Sequence, residues 1–274
     1  MQAFENKVAV ITGAGSGIGE GLAHRCAQEG MRLVLADINA QRLEALAGAL
    51  ATETVVQVTD VSHADAVEAL AALAYDHFGQ VDLLFNNAGV LIGGASWEVP
   101  LKDWRWILDI NLMGVVHGIQ AFVPRMLAQG TPAHIVNTSS LAGLLAAPLM
   151  GPYTVGKQAV LALTETLHYE LAETPIGVSV LCPGPIATAI AGSGGDRQSQ
   201  VQQSEGQKQL MQFLSDGIRQ GMSPADCASL VFDAIGKDQF WIFTHEDFKP
   251  EYQSRIDDIL NNRNPVYTQY TVGD

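Results

Sequence analysis

The sequence is poor in positive charge. Lys and Arg together number 15 among 274 residues, whereas Asp and Glu number 29, so the formal net charge is −14 at pH 7. The phosphates of a nucleic acid and of an anionic lipid surface repel such a chain. We therefore expect neither a nucleic-acid partner nor a membrane partner.

Cysteine is also scarce. Cys26, Cys182 and Cys227 are far apart in sequence, odd in number and without a CxxC pair, which argues against a disulfide framework and a zinc site. We predict three buried free thiols in a reducing compartment. The seven histidines show neither HExxH nor HxxxH spacing, so no metal site is predicted.

Long apolar runs and a secretion signal are the remaining absences. The first residues, MQAFENKVAVITG, lack a basic segment followed by an apolar one, and by inspection no stretch approaches the roughly 20 apolar residues of a membrane span. We expect a cytoplasmic protein. Hydrophobic residues make up 47% and charged residues 16% of the chain, which excludes a disordered protein.

Short apolar runs alternate with amphipathic stretches along most of the chain. The runs predict strands at 7–11, 31–36, 54–58, 81–85, 134–137, 177–181 and 240–243. The stretches predict helices at 17–29, 40–51, 65–78, 101–127 and 152–171. Strands joined through helices form parallel sheets that are covered on both faces. The expected fold is α/β, a three-layer, doubly wound parallel sheet of about seven strands in a single domain, 1–274.

Two segments depart from this alternation. Residues 191–212 are rich in Gly, Ser and Gln, and they exceed the length of an ordinary connection. A mobile flap over a site and a disordered insertion both fit this composition. The position after a strand favours a substrate flap at about 189–220. The second segment is an aromatic and acidic C-terminal extension at about 245–274.

A glycine-rich turn joins the first strand to the first helix. The sequence TGAGSGIG at 12–19 has GxxxGxG spacing, carried by Gly13, Gly17 and Gly19. Glycines allow a backbone to approach a pyrophosphate, and a helix N-terminus favours anions. This turn predicts a dinucleotide site, although a turn that binds nothing has the same composition.

Carboxylates end the second and third strands. Asp37, 18 residues after Gly19, is placed to bond both ribose hydroxyls of adenosine and to repel a 2′-phosphate. It therefore favours NAD over NADP, with a helix N-cap as the alternative. Asp60 and Val61 are placed to contact adenine, and an N-cap for the next helix is an equally good interpretation of Asp60.

Tyr153 and Lys157 are four residues apart on a predicted helix, so they share one face. A neighbouring ammonium lowers the pKa of a phenol, which suits proton exchange with an alcohol oxygen. Taken alone, the pair is more typical of a solvated helix surface, because this spacing is common by chance. Asn111 lies in an apolar helix, where its side chain either bonds to backbone or marks a kink that holds a water.

These motifs together resemble the short-chain dehydrogenase/reductase family in its shorter, single-domain form. The matching residues, in the family's order, are TGAGSGIG at 12–19, DV at 60–61, NNAG at 86–89, Asn111, Ser140, YTVGK at 153–157 and PGPIAT at 183–188. The resemblance covers about residues 5–245 and implies a Rossmann fold with NAD as cofactor.

The resemblance implies a role for each matching residue. Tyr153 is expected to be the general acid/base, and Lys157 to lower its pKa and hold the nicotinamide ribose. Ser140 is expected to bond the substrate oxygen, and Asn111 to hold a water between Lys157 and solvent. The expected cofactor-binding residues are Gly13, Ser16, Gly17, Ile18, Gly19, Asp37, Asp60, Val61, Asn87, Gly89, Tyr153, Lys157, Pro183, Gly184, Ile186 and Thr188.

The sequence departs from the family pattern at two places. FWIFTHEDF at 240–248 stands where many relatives have a glycine-rich turn that helps to form a tetramer, so a homodimer through the long helices is expected as well as a homotetramer. Gly156 replaces a more frequent serine before the lysine, with no expected effect on the chemistry.

The expected reaction is hydride transfer between NAD and a secondary alcohol or carbonyl compound. The apolar stretches 91–95 and 141–150 favour a small, neutral, hydrophobic substrate. The alternative is a non-catalytic NAD(H)-binding sensor or scaffold, which would keep the glycine turn and Asp37 without needing Tyr153.

Overall fold

The structure is a computed structural model that describes residues 3–195 and 205–267. Seven parallel strands form one sheet in the order β3-β2-β1-β4-β5-β6-β7. Their bounds are β1 Val8–Thr12, β2 Arg32–Asp37, β3 Thr54–Val58, β4 Leu83–Asn86, β5 Ala133–Thr138, β6 Ile176–Cys182 and β7 Trp241–Phe243. The predicted doubly wound parallel sheet is therefore confirmed, with strand ends shifted by up to two residues.

Helices cover both faces of this sheet. They are α1 Gly17–Gln28, α2 Ala40–Ala49, α3 Ala64–Phe78, α4 Leu101–Leu108, α5 Gly114–Gln129, α6 Gly151–Glu170, α7 Glu205–Arg219, α8 Pro224–Gly236 and α9 Lys249–Leu260. Short 3₁₀ turns occupy Leu141–Gly143 and Ile190–Gly192. One hydrophobic core packs α1 and α8 against the sheet, and a second core packs α3 and α5 against its other face.

The order of the strands explains where a ligand site lies. The chain moves outward from β1 through β2 to β3 and then returns to place β4 on the other side of β1. The loops after β1 and β4 therefore diverge at the carboxyl edge of the sheet, and a crevice opens between them. β3 is an edge strand, and its Val56 and Val58 are 38% and 57% exposed, unlike the fully buried β1.

Three helices were not predicted. The segment 191–212 was expected to be a mobile flap or a disordered insertion, yet its C-terminal part begins α7. The sequence of α7 is rich in Gln, Leu and Met, which are strong helix formers, and it repeats apolar residues at Met211, Leu214 and Ile218. Residues 196–204 of the expected flap lie outside the described residues. α8 and α9 were also missed.

The expectation about apolar runs needs correction. The continuous helical run 101–129 is long and apolar enough to pass a length and composition criterion for a membrane span, with mean hydropathy 1.4 over 18 residues. In the structure, Ala121, Phe122 and Met126 of this run are buried in the core that α5 forms with α3 and the sheet. Packing of that kind is the reason for apolar residues in a helix that covers a sheet.

Candidate active site

The glycine turn after β1 has a geometry that only glycine permits. Gly13 and Gly17 have φ of +65° and +56°. A Cβ on Gly13 would lie 2.7 Å from Cα of Ala88, and a Cβ on Gly17 would lie 2.8 Å from Cγ2 of Thr188. Ser16 precedes α1 with no side-chain capping bond, so the first-turn N–H groups stay available. This bare backbone cradle fits a pyrophosphate.

Asp37 bonds to that turn rather than capping a helix. Its Oδ2 accepts a hydrogen bond from the backbone N–H of Gly15 at 2.9 Å, and its Oδ1 accepts one from Asn39 at 2.9 Å. The N-cap of α2 is Asn39, whose Oδ1 accepts from the N–H of Arg42. The N-cap interpretation of Asp37 is therefore wrong, because the carboxylate points back toward the glycine turn.

Asp60 and Val61 follow β3 and face the same crevice. Asp60 Oδ1 accepts hydrogen bonds from the backbone N–H of Ser62 at 3.0 Å and from its hydroxyl at 2.7 Å. The residue before α3 is His63, so Asp60 is not the N-cap of that helix.

Asn87 joins the end of β4 to the glycine turn. Its Nδ2 donates to the carbonyl of Thr12 at 3.0 Å, and its own N–H donates to the Thr12 hydroxyl at 2.9 Å. Thr12 was not singled out in the sequence, because its role depends on a strand neighbour 75 residues away. Gly89 lies where a Cβ would come within 3.4 Å of both Lys157 Nζ and Asn111 Oδ1.

Tyr153 and Lys157 lie in the first turns of α6, and both are buried, with 7% and 3% exposure. Lys157 Nζ donates to the carbonyl of Thr138 at 2.9 Å and lies 5.7 Å from the centre of the Tyr153 ring. Burial lowers the pKa of Lys157 to about 8. The interpretation as a solvated surface pair is therefore wrong.

The expected effect of Lys157 on Tyr153 is not seen. Burial raises the pKa of Tyr153, and only a hydrogen bond with Ser140 acts in the opposite direction. The physical reason is that desolvation penalises the phenolate more than its neighbours stabilise it.

The two serines after β5 have different environments. Ser139 donates its hydroxyl hydrogen to the backbone carbonyl of Lys157 at 2.7 Å, so it fixes α6 to the sheet. Ser140 is the serine that lowers the pKa of Tyr153, and its Oγ accepts from the N–H of Ala142 at 3.1 Å. This difference favours Ser140 as the serine beside the reacting oxygen.

Asn111 lies in a π-helical turn, Asp109–Met113, between α4 and α5. Its Oδ1 accepts from the N–H of Val90 at 2.8 Å, and its Nδ2 donates to the Val90 carbonyl at 2.9 Å. Both interpretations of Asn111 are therefore partly met: the helix is distorted there, and the side chain bonds to backbone.

The loop after β6 closes the far end of the crevice. Pro183 and Thr188 line it, whereas Ile186 is 4% exposed and packs in the core beneath it. The N–H of Gly184 donates to the Thr244 hydroxyl at 2.9 Å, so Gly184 faces β7 rather than the crevice.

Most of the predicted residues surround one cavity of about 530 Å³, a size typical of cofactor sites. Its predicted lining residues are Gly13, Ser16, Gly17, Ile18, Asp37, Asp60, Val61, Asn87, Gly89, Tyr153, Lys157, Pro183 and Thr188. Among the described residues, the predicted ones outside this lining are Gly19, Asn111, Ser140, Gly184 and Ile186. Unpredicted lining residues include Ile38, Asn39, Arg42, Thr59, Ile110 and Ser193.

A second cavity, of about 280 Å³, lies between α7 and the loop after β4. Its lining is mainly apolar, with Leu91, Met150, Met211, Leu214 and Ile218, together with Ala191. Lys208, Gln212 and Ser215 supply the polar part. Met211 and Leu214 also pack in the cluster that contains Tyr153, so this apolar space adjoins the side chain expected to exchange a proton.

The fold and this crevice define a dinucleotide-binding α/β protein. A family profile described as short chain dehydrogenase matches residues 7–199. A solved short-chain dehydrogenase/reductase from Burkholderia phymatum, in complex with NAD, is 42% identical and covers 99% of this chain and 100% of its own, with a TM-score of 0.93.

Two curated relatives are similar over nearly the whole chain. A "CLA biosynthesis dehydrogenase/reductase" from Lactiplantibacillus plantarum is 34% identical, with 97% of each protein covered. A "1-deoxy-11-beta-hydroxypentalenate dehydrogenase" from Streptomyces exfoliatus is 35% identical, with 93% of this chain and 89% of its own covered. The chain belongs to the short-chain dehydrogenase/reductase family, and it is a Rossmann-fold oxidoreductase that binds a nicotinamide dinucleotide.

Proposed function

We propose that this protein interconverts a secondary alcohol and a ketone or aldehyde, with NAD as the preferred cofactor. The observation that carries the proposal is the buried Tyr153–Lys157 pair in the wall of a cavity that also holds the glycine cradle and Asp37. The dehydrogenase names of the relatives and the NAD-bound solved structure support the same reaction class.

The chain's own residues have distinct tasks in this reaction. Gly13, Gly17 and the start of α1 hold the pyrophosphate. Asp37 accepts hydrogen bonds from the adenosine ribose, and its charge disfavours a 2′-phosphate. NAD, when bound, supplies the hydride acceptor, and the protein supplies position and a proton pathway.

Proton transfer is assigned to the residues around α6. Tyr153 takes the hydroxyl proton during oxidation and returns it during reduction. Ser140 bonds the same oxygen and stabilises charge there. Lys157 is held in place by the Thr138 carbonyl and supplies a positive charge near the phenolate. Because Asn111 uses both its amide atoms on Val90, a water that relays protons there would bond to the backbone of the π turn.

The cavity under α7 is assigned to the substrate. Most of its lining residues are apolar, and Lys208 is the one charged residue among the described residues that line it. Such a lining favours a neutral hydrophobic alcohol or ketone. A cytoplasmic location and the absence of nucleic-acid and membrane partners are also proposed, on the basis of the net charge of −14.

The test is turnover of a panel of hydrophobic secondary alcohols, followed by the absorbance of reduced nicotinamide, first with NAD and then with NADP. We expect turnover with NAD that exceeds turnover with NADP at equal concentrations. Tight NADH binding with no turnover of any alcohol or matching ketone would instead favour a cofactor-binding sensor.

A further inference from the structure

The segment after β7 is not explained by the proposed reaction. Thr244 and His245 follow Phe243 directly, in the stretch FWIFTHEDF. Thr244 is buried, with 7% exposure, and lies against the loop after β6. Its hydroxyl oxygen accepts the N–H of Gly184 at 2.9 Å and lies 2.8 Å from Nδ1 of His245.

Thr244 links Gly184 to His245. Its oxygen accepts from the N–H of Gly184. The same hydroxyl donates to Nδ1 of His245 in one neutral tautomer of the ring and accepts from it in the other. Burial lowers the pKa of His245, with the Asp247 carboxylate acting in the opposite direction, which is consistent with a neutral ring at pH 7. The result is one chain of bonds, from Gly184 through Thr244 to His245.

Gly184 also has a steric reason to be glycine. A Cβ at this position would lie 2.6 Å from Nδ1 of His245. The imidazole and the loop backbone therefore pack in direct contact, and the ring sets how closely the loop approaches β7.

This contact is one of the points that hold the loop 183–188. The carbonyl of Pro183 accepts from the N–H of Leu141, which follows Ser140, at 3.0 Å. On the far side, Met222 exchanges backbone hydrogen bonds with Pro185 and Ala187, at 3.0 and 2.9 Å. Between these points, Thr244 supplies a side-chain bond to the loop. Pro183 and Thr188, at either end, line the cofactor cavity.

We propose that Thr244 and His245 are positioning residues for the nicotinamide end of the cofactor site, acting through Gly184 on Pro183 and Thr188. The inference rests on the proposed binding of NAD. It predicts that losing the Thr244 hydroxyl weakens contacts with the nicotinamide half of the cofactor and leaves contacts with the ADP-ribose half intact.

The test compares the dissociation constants of NADH and ADP-ribose, which lacks the nicotinamide ring, for purified full-length variants. Thr244→Val keeps the shape and removes the hydroxyl, and it should weaken NADH binding by about tenfold, as expected for one buried hydrogen bond. ADP-ribose binding should change by less than about twofold. Thr244→Ser should restore NADH binding, and His245→Ala should weaken it in the same direction as Thr244→Val.

The matched control is Thr131→Val, which removes a hydroxyl from the exposed turn between α5 and β5 and should change neither constant. Unchanged NADH binding in Thr244→Val would overturn the proposal, and so would an equal loss of both ligands, which would mean a general structural defect. Failure of the wild-type protein to bind either ligand would overturn the proposed function itself.

Discussion

Burial controls the chemistry of single residues at the start of α6. Lys157 is nearly inaccessible, and its pKa is lowered to about 8, so it still carries a charge at neutral pH. Burial raises the pKa of Tyr153. A phenol of this kind is a better proton donor to a carbonyl than a proton acceptor from an alcohol near pH 7, so oxidation should become faster as the pH rises.

Cofactor choice is expected to depend on one carboxylate. Replacing Asp37 with Ser removes an acceptor for the ribose hydroxyls and a charge that repels a 2′-phosphate. We expect Asp37→Ser to lower kcat/KM with NAD by about tenfold or more and to raise kcat/KM with NADP, with Arg42 supplying a nearby cation. Steady-state rates with both cofactors measure this. Asp65→Ser, an exposed acid at the start of α3, is the control, and an unchanged preference in Asp37→Ser would refute the assignment.

His134 should make stability depend on pH. Its Nε2 donates to the Ser179 hydroxyl, because the hydroxyl hydrogen itself is donated to the Gln239 carbonyl. Burial lowers its pKa from 6.5 to about 4. Between these values the unfolded chain binds a proton that the folded chain does not, so stability is full above about pH 6.5 and falls as the pH drops toward 4. The loss from this residue is at most about 3 kcal/mol.

Urea unfolding at a series of pH values measures the effect of His134. The His134→Gln variant should lose this part of the pH dependence, whereas His24→Gln, on the exposed side of α1, should keep it. Equal slopes in all three proteins would show that His134 does not contribute.

Some residues of the site were predictable, and others were not, for a physical reason. Tyr153, Lys157, Ser140 and Asp37 carry chemistry in their side chains, so their types and spacing indicate a function. Thr12 acts by bonding to Asn87 after the neighbouring strand β4. Thr138 acts through its backbone carbonyl, which any residue type would supply. Their roles become visible only when β1, β4 and β5 lie side by side.

The π-helical turn is the element that links α4 and α5 to the crevice. It places Asn111 so that its amide pairs with both backbone groups of Val90 in the loop after β4. A single side chain therefore ties this helix to a loop that lines both the cofactor cavity and the second cavity under α7.

We expect Asn111→Leu to be strongly destabilising. The change leaves the N–H and the carbonyl of Val90 without this partner, and each lost bond costs about 1–3 kcal/mol. The free energy of unfolding should fall by about 2 kcal/mol or more, as measured by urea denaturation. The control is Gln253→Leu on the exposed side of α9, for which about 0.5 kcal/mol or less is expected. Equal stability of the two variants would contradict this role for Asn111.

Regular elements differed in how well they could be predicted. β1 and β2 are continuous apolar runs because both faces are buried, and such runs are easily recognised. α7 was missed because it begins inside the segment 191–212, whose Gly-, Ser- and Gln-rich composition is typical of loops, even though the helix itself repeats apolar residues at Met211, Leu214 and Ile218. α9 was missed because none of its residues is buried, so its sequence lacks a strong apolar face.

At the scale of the whole molecule, the long helices present uncharged outer faces. On α6, Val155, Ala162, Thr166 and Tyr169 are exposed along one side. On the adjoining π turn and α5, Met113, Gln120, Pro124 and Leu127 are exposed in the same way. In a protein with a net charge of −14, such faces favour a contact between copies of the chain.

We expect a homodimer or a homotetramer in solution, built from protomers of 29.2 kDa. Val155→Asp should shift the sedimentation profile toward the monomer, because a dimer through α6 would bury two carboxylates without partners. Val58→Asp, on the exposed edge strand β3, is the control and should sediment like the wild type. A monomeric wild-type protein would contradict the expectation.

The measurement that tests the central claim most directly compares NAD-dependent turnover of a hydrophobic secondary alcohol by the wild type, Tyr153→Phe and Tyr169→Phe. Both variants remove one phenolic hydroxyl from α6, but Tyr169 is 67% exposed and bonds to Glu165 outside the cavity. The account predicts that Tyr153→Phe lowers kcat by at least about 100-fold, that it still binds NADH, and that Tyr169→Phe behaves like the wild type. Turnover by Tyr153→Phe at close to the wild-type rate would contradict it.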